Sequence, residues 1–374
     1  MKLLYIVDSM ANWGGTERIL VDKMNYLADV YGYDVYMVTC NQGNHPIPFP
    51  LSNKVHFQDL DINFYHEYRY KGLKRLFVRY KLKRLYRKRL KSYISQIKPD
   101  IIICVKIFLF GFILRVKGNI PVIIESHSSC KQFQYEVKNP IKNLRDKIYI
   151  SQASKAQHIV ALTDGDANDW KKINPNVSVI PNIVHLNEEG KFSDCHSKSV
   201  IFVGRFSMQK DIATLIKIWK IVNEKYPDWK LHIYGGYGEL YEELHTIIET
   251  SNLNIYVHEP TLDIFKEYIN SSILLLTSIY EPFGLVIPEA MSCGLPIVSF
   301  DCPYGPADII TDSVDGFLIP NRDIELFAEK VCLLISDEQL RKKMGNAGII
   351  ASQRYRDSLI MPKWDSFFKK MVTK

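Results

Sequence analysis

Short apolar runs alternate along this chain with longer stretches whose apolar positions recur every three or four residues. Residues 3–7, 34–40, 55–60, 101–105, 122–125, 158–162 and 177–180 read as strands. Several are β-branched on both faces, the pattern of a parallel sheet covered on both sides. Helical periodicity fills 17–31, 73–97 and 143–155. Strand–helix alternation of this kind predicts parallel α/β layers. A polar, charged stretch without a period, 184–199, follows Pro181-Asn182 and reads as a linker. The pattern then restarts. Strands are expected over 200–204, 231–235, 255–258, 273–277 and 297–300. Helices are expected over 211–225, 239–250, 262–270, 285–293, 323–336 and 338–351, the last with Gly348 near its end. A final helix around 357–371 closes the chain. Two successive α/β sets predict an α/β protein of two doubly wound domains. A length of 374 residues agrees, because single cores stop growing near roughly 250–300 residues.

Composition narrows the class. At 47% hydrophobic and 24% charged, the chain is an ordinary globular protein and not a disordered one. The net charge of +7 is not evenly spread: residues 68–99 hold thirteen Lys and Arg and no acid, so the remainder is net acidic. Seven scattered cysteines without a C-x-x-C pair argue against a disulfide framework or a zinc site and fit a reducing cytosol. The apolar start stops at Asp8, short of a secretory h-region. The apolar run 101–116 is broken by Lys106 and Arg115, and no segment reaches the roughly 20 residues of a bilayer span.

The basic segment 70–97 interleaves its cations with Leu73, Leu76, Phe77, Tyr80, Leu85, Tyr86, Leu90, Tyr93, Ile94 and Ile97. This predicts a long helix with an apolar-aromatic stripe and basic flanks. Three uses fit: a solvated face over a core, a surface for an anionic membrane, or a grip on the pyrophosphate of a lipid-linked acceptor. Lys74, Arg75, Arg79, Arg84, Arg87 and Lys88 are the candidate contacts for the last two. No nucleic-acid-binding module accompanies the charge, so no nucleic acid partner is expected.

Three motifs carry candidate chemistry. Asn12-Trp13-Gly14-Gly15-Thr16-Glu17 follows the first strand, where glycines let backbone approach a ligand and a helix start offers free N–H groups. It also reads as a plain turn with Thr16 as N-cap. Val203-Gly204-Arg205-Phe206-Ser207-Met208-Gln209-Lys210-Asp211 follows the first strand of the second set. Arg205 and Lys210 there suit a diphosphate, or form a solvated basic loop. The third motif runs from Glu281 through Pro282-Phe283-Gly284-Leu285 to Glu289 and on to Gly294-Leu295-Pro296. One carboxylate lies in a loop and the other about one turn into a helix. Carboxylates suit sugar and ribose hydroxyls, and the Phe283, Gly284 and Leu285 amides suit phosphate.

The spacing of Glu281 and Glu289 resembles the E-x7-E signature of retaining GT-B glycosyltransferases, family 4 above all. The chain is similar to that family again at Gly14-Gly15-Thr16-Glu17, Glu125-Ser126-His127, Ile180-Pro181-Asn182, Gly204-Arg205 with Lys210, Tyr234-Gly235-Gly236 and Gly305-Pro306-Ala307-Asp308-Ile309-Ile310, in family order. The resemblance implies two facing Rossmann-like domains with a cleft between them. Residues 1–183, completed by a C-terminal helix 356–374, would bind the acceptor, and 199–355 the nucleotide sugar. It implies that Glu289 holds the donor ribose and that Glu281 contacts the transferred sugar. Arg205, Lys210 and the 283–285 amides would hold the diphosphate, with Gly204 and Gly235 beside it. His127 would touch the sugar near the reacting carbon, and Gly15 would line the diphosphate and acceptor side. The implied enzyme is a retaining hexosyl- or N-acetylhexosaminyltransferase using a nucleotide sugar, UDP-linked by preference. Its acceptor would be a lipid-linked or surface-polysaccharide glycan, and it would work in the cytoplasm at the inner face of the plasma membrane. Neither a metal nor another cofactor is expected, because protein cations take the metal's place; Asp59-Leu60-Asp61 and Asp164-Gly165-Asp166 lie away from the donor motifs and read as coincidental. An epimerase-like enzyme and a non-catalytic glycan- or lipid-binding scaffold are the alternatives. Two positions depart from the family: Asp211 where Gly often follows the Lys, and Tyr234-Gly235-Gly236-Tyr237-Gly238 in place of Gly-Asp/Glu-Gly.

Overall fold

The structure is a computed structural model describing residues 1–133, 140–261, 263–320 and 322–373. It divides into two compact units, Met1–Ile183 with the residues from Ser358 onward, and Val184–Asp357. The first unit runs β1 (Lys2–Ile6), α1 (Gly15–Asp29), β2 (Asp34–Thr39), β3 (Val55–Asp59), α2 (Gly72–Ile97), β4 (Ile101–Cys104), α3 (Ile107–Ile113), β5 (Val122–Glu125), α4 (Pro140–Ala153), β6 (His158–Ala161), α5 (Asp164–Lys171) and β7 (Val177–Val179). Its sheet has the order β3-β2-β1-β4-β5-β6-β7, parallel throughout. The central strands are wholly buried, as the β-branched runs on both faces require.

The second unit runs β8 (Ser199–Val203), α6 (Ile212–Lys225), β9 (Lys230–Tyr234), α7 (Tyr241–Thr250), β10 (Ile255–His258), α8 (Ile264–Ile269), β11 (Ile273–Leu276), α9 (Val286–Ser292), β12 (Ile297–Phe300), α10 (Gly305–Ile309), β13 (Gly316–Ile319), α11 (Ile324–Ser336) and α12 (Glu338–Ser352). Its sheet has the order β10-β9-β8-β11-β12-β13, again parallel. Each sheet reverses direction beside its first strand, the topology that opens a ligand crevice at the strand carboxyl ends. A last helix, α13 (Asp357–Val372), packs on the first unit. There Trp364, Phe367 and Phe368 are buried, and Tyr33 donates to Asp365 at 2.5 Å.

Several elements differ from the sequence reading. α3 is apolar on all sides and lacks the period that marks a surface helix. α5 is short and starts where the paired acids stand: Thr163 is its N-cap, accepting from the Asp166 amide. α10 and β13 are five and four residues long. The N-cap of α1 is Gly14 and not Thr16. Gly348 lies near the end of its helix, as expected, but its role is packing. With Gly345 it lies inside α12, where a Cβ at 345 would come within 2.0 Å of the Gly294 carbonyl oxygen, so both glycines serve close packing on α9. The expected linker 184–199 is stitched to the second unit. The Asn187 amide donates to Ser292 Oγ at 3.0 Å, the Ser193 hydroxyl to the Ser271 carbonyl, and buried Arg341 donates to the Cys195 carbonyl. Its apolar anchors, Val184, Leu186 and Cys195, are too widely spaced to show a period.

Candidate active site

In the second unit the candidate residues gather at the carboxyl ends of β8, β9 and β11. The chain leaves β8 at Gly204 while β9 leaves at Gly235, and the Gly204 amide donates to the Tyr234 carbonyl at 2.9 Å. A Cβ on Gly235 would stand 1.8 Å from the Gly204 carbonyl oxygen, so only glycine allows the two loops to run this close. Arg205 is exposed at the tip of the β8 loop. Lys210 turns back beneath Gly204, its aliphatic stem 3.2 Å from where a Cβ would sit. Its ammonium bonds Glu281 Oε2 at 2.6 Å, and the Ser278 hydroxyl donates to the same oxygen at 3.1 Å. Both partners are largely shielded from solvent, so this ion pair is stronger than a surface pair. The loop is fixed from below: Thr277 Oγ1 donates to the Lys210 and Asp211 carbonyls, and the Ile279 amide to the Gln209 carbonyl.

Asp211 explains its own departure from the family pattern. Its φ is +49°, the left-handed region in which glycine is at ease and Asp is tolerated. Here the carboxylate compensates by capping α6 through the Thr214 amide and by pairing with Arg322, which also donates to the Thr277 carbonyl. Sequence reasoning missed Arg322 and Ser278; neither belongs to a recognisable motif.

Glu281 is anchored by its backbone, donating to the Pro303 carbonyl at 2.6 Å and accepting from the Tyr304 and Gly305 amides. Gly284 has φ +93°, so the turn before α9 depends on glycine. Phe283 is buried edge-on against Tyr355, and Leu285 is the N-cap of α9. Glu289 is the fourth residue of this seven-residue helix and is mostly buried, with Tyr268 donating to it at 3.4 Å.

In the first unit, β5 ends at Glu125 and delivers His127 to the edge of a cavity of about 450 Å³. Lys106, Phe108, Phe133, Lys142, Arg145 and Tyr149 also line it. His127 Nε2 is 2.8 Å from Glu125 Oε1, and that oxygen also receives the ammonium of Lys23 from α1. Lys23 is fully buried, 4.2 Å from the Trp364 ring centroid and 5.2 Å from that of Tyr5. Burial alone would raise the Glu125 carboxyl; the ammonium of Lys23, with the hydrogen bonds from Lys23 and His127, overcomes it and holds the group below its ordinary value. Nothing in the sequence marked Lys23, which sits on an otherwise apolar helix face. Gly15 is the exposed first residue of α1, about two turns before Lys23 on the same helix. Asp166, read as incidental, is buried and structural. It accepts from the Cys130 amide at 2.7 Å and the Trp170 indole at 3.0 Å, and burial pushes its carboxyl up to about 6.

Two members of the basic-helix set are not free. Arg79 makes a two-bond fork with Glu67, and Arg75 also reaches it, because the 3-10 turn Phe64–Arg69 lays that acid against α2. Lys74, Arg84 and Lys88 are exposed, and Arg87 is half-buried. Only Tyr86, Leu90, Ile94 and Ile97 of α2 are buried, whereas Leu73 is 84% exposed and Leu76, Phe77 and Tyr80 more than half exposed. The expected apolar stripe therefore packs on the core along its C-terminal half and meets solvent along the rest. Among the described residues, no helix is long and apolar enough to cross a membrane, and no group of three or more His, Cys, Asp or Glu is placed to hold a metal ion. All seven cysteines are buried and unbridged.

Comparison with known proteins matches residues 13–188 to the model of Glycosyltransferase Family 4 and residues 188–350 to that of Glycosyl transferases group 1. The amylovoran biosynthesis glycosyltransferase AmsD of Erwinia amylovora is 31% identical over 97% of this chain and 98% of its own length. The crystal structure of a point mutant of S. aureus TarM with fondaparinux, alpha-GlcNAc-glycerol and UDP superposes with a TM-score of 0.80 at 18% identity, over 98% of this chain and 99% of that one. Anabaena Alr3699/HepE in complex with UDP-glucose gives 0.76 at 19%, over 99% of this chain and 100% of that one. The fold is that of the GT-B transferases.

Proposed function

The chain belongs to the family 4 and group 1 glycosyltransferases, and from that premise we propose that it is a retaining, metal-independent transferase of the E-x7-E type. It moves a hexosyl or N-acetylhexosaminyl group from a UDP-sugar to a lipid-linked or surface-polysaccharide glycan. The observation that carries this reading is the shielded Lys210–Glu281 pair at the carboxyl ends of β8 and β11. It sets a cation for a diphosphate directly against a carboxylate for a sugar, within one loop cluster.

In this reading Lys210 and Arg205 take the charge that grows on the departing nucleoside diphosphate as the anomeric C–O bond breaks. Charge stabilised more in the transition state than in the ground state is what accelerates the step. The Phe283, Gly284 and Leu285 amides add donors for the same phosphates, and Gly204 and Gly235 let backbone lie close to them. Glu281 orients the transferred sugar, and Glu289 holds the ribose hydroxyls. The first unit presents the acceptor, with Gly15 on that side and His127 serving the sugar near its reacting carbon. The exposed face of α2, through Lys74, Arg84 and Lys88 with Leu73, Phe77 and Tyr80 and with half-buried Arg87 beside them, rests on the anionic cytoplasmic face of the plasma membrane, where a lipid-linked acceptor resides.

The test is incubation of the purified protein with a panel of UDP-sugars, following UDP release without acceptor and transfer to membrane-extracted lipid-linked glycans. Slow acceptor-independent release from one donor, lost in Glu281→Gln, is the expected result. Conversion of the donor to an isomer without release would make the protein an epimerase. No turnover and no nucleotide binding would leave a scaffold.

A further inference from the structure

A buried lysine is expensive unless it is paired and hydrogen-bonded, and Lys23 is fully buried. Its helix needs only an apolar residue at that position, since Leu20, Val21, Met24 and Leu27 around it pack the core. The ammonium instead reaches Glu125, whose side chain is equally buried and whose Oε1 also faces His127 Nε2 at 2.8 Å. The other carboxylate oxygen, Oε2, is buried without a hydrogen-bond partner. The carboxylate thus has one oxygen shared by two donors from different elements, and it sits between them as a bridge. An ionised carboxylate only accepts, so the imidazole nitrogen facing it carries the proton.

We propose that Lys23 is a positioning residue for the His127 side chain. By meeting the charge of Glu125, it keeps that carboxylate ionised, holds the imidazole in the neutral tautomer protonated at Nε2, and leaves Nδ1 as the acceptor for a sugar hydroxyl. The inference rests on the reading of His127 as serving the transferred sugar. Lys23 touches no substrate in this scheme and acts only through Glu125. The titratable groups beside that carboxyl among the described residues are Lys23 from α1, His127 beyond β5 and Tyr5 from β1. The ring face of Trp364 of α13 lies 4.2 Å from the Lys23 ammonium and favours a cation there.

Two measurements on the full chain test this. In 15N-labelled protein at pH 7, the His127 resonances are identified by their absence in His127→Asn. They are expected to report a protonated Nε2 and a bare Nδ1, and Glu125→Gln is expected to remove that preference. In Lys23→Met, burial is no longer opposed by an ammonium, so the Glu125 carboxyl takes up a proton in mildly acid solution and offers a donor where His127 needs an acceptor. Turnover should then fall roughly a hundredfold relative to wild type as pH drops from 7 to 5, as expected for a misplaced group, with donor KM unchanged. Combining Lys23→Met with Glu125→Gln should cost no more than Glu125→Gln alone. A wild-type ring protonated at Nδ1 or at both nitrogens overturns the proposal, as does a Lys23→Met loss equal at every pH. If Lys23→Met does not fold, the wild-type and Glu125→Gln spectra still decide the matter. Failure of the underlying reading has its own signature: the expected tautomer, together with full transfer by His127→Ala.

Discussion

At the scale of single residues, the site depends on ions whose partners are fixed. Lys210 is held by Glu281 at its ammonium and by the Thr277 hydroxyl at its carbonyl, so on the proposed reading its charge is already oriented and little reorganisation remains during reaction. Lys210→Met is expected to lower kcat by about 10²–10³ with the fold intact, the loss typical of removing one transition-state donor. Steady-state kinetics on the preferred UDP-sugar, beside a far-ultraviolet circular dichroism spectrum, would show it; a loss below a few-fold would take Lys210 out of the chemistry. Asp166 supports a different kind of prediction. Its carboxyl is raised by burial to about 6, so its contribution to stability is fully present below its unfolded value and is lost as pH rises through 6. Against Asp166→Asn, which cannot titrate, the wild type should therefore gain stability on going from pH 7 to pH 4. The gain should be at most about 3 kcal/mol, read from denaturant midpoints at each pH.

At the scale of elements, the strands and long helices are legible in the sequence because burial on two faces or on one stripe leaves a period. All twelve strands expected along the chain form, and α2 and α6 begin within a residue of their expected starts. What escapes is what leaves no period: α3, greasy all round; α5, hidden behind two acids that advertise chemistry; and the stitched segment after Ile183, whose anchors are scattered. The site divides the same way. Glu281, Glu289, Arg205, Lys210 and His127 sit in motifs, whereas Lys23 and Arg322 meet Glu125 and Asp211 from positions that only folding brings near. For α2, the sequence shows the stripe but not where it is covered. Its exposed face should bind vesicles containing phosphatidylglycerol and ignore neutral ones. Replacing Lys74, Arg84 and Lys88 with Glu should weaken sedimentation with those vesicles by several kcal/mol, since each cation near such a surface is worth about 1 kcal/mol. Arg79→Glu should act mainly through stability, because its partner is Glu67.

At the scale of the whole molecule, the units differ in continuity. The second is one uninterrupted stretch, tied across its ends where the Val184 amide donates to the Tyr355 carbonyl. The first is assembled from both ends of the chain, and α13 supplies Trp364, Phe367 and Phe368 to it. Ending the chain at Asp357 should leave the second unit folded and able to bind UDP, measured by calorimetry. The same truncation should make the first unit susceptible to limited proteolysis, starting around α1.

The discontinuity also sets an order of events on the ribosome. Everything needed for the second unit has been translated when the codon for Asp357 is read. The first unit, though begun earlier, still lacks the indole that caps its buried ammonium. The second unit is thus complete in sequence before the first can close its lysine off from solvent, and the first unit's assembly waits on α13.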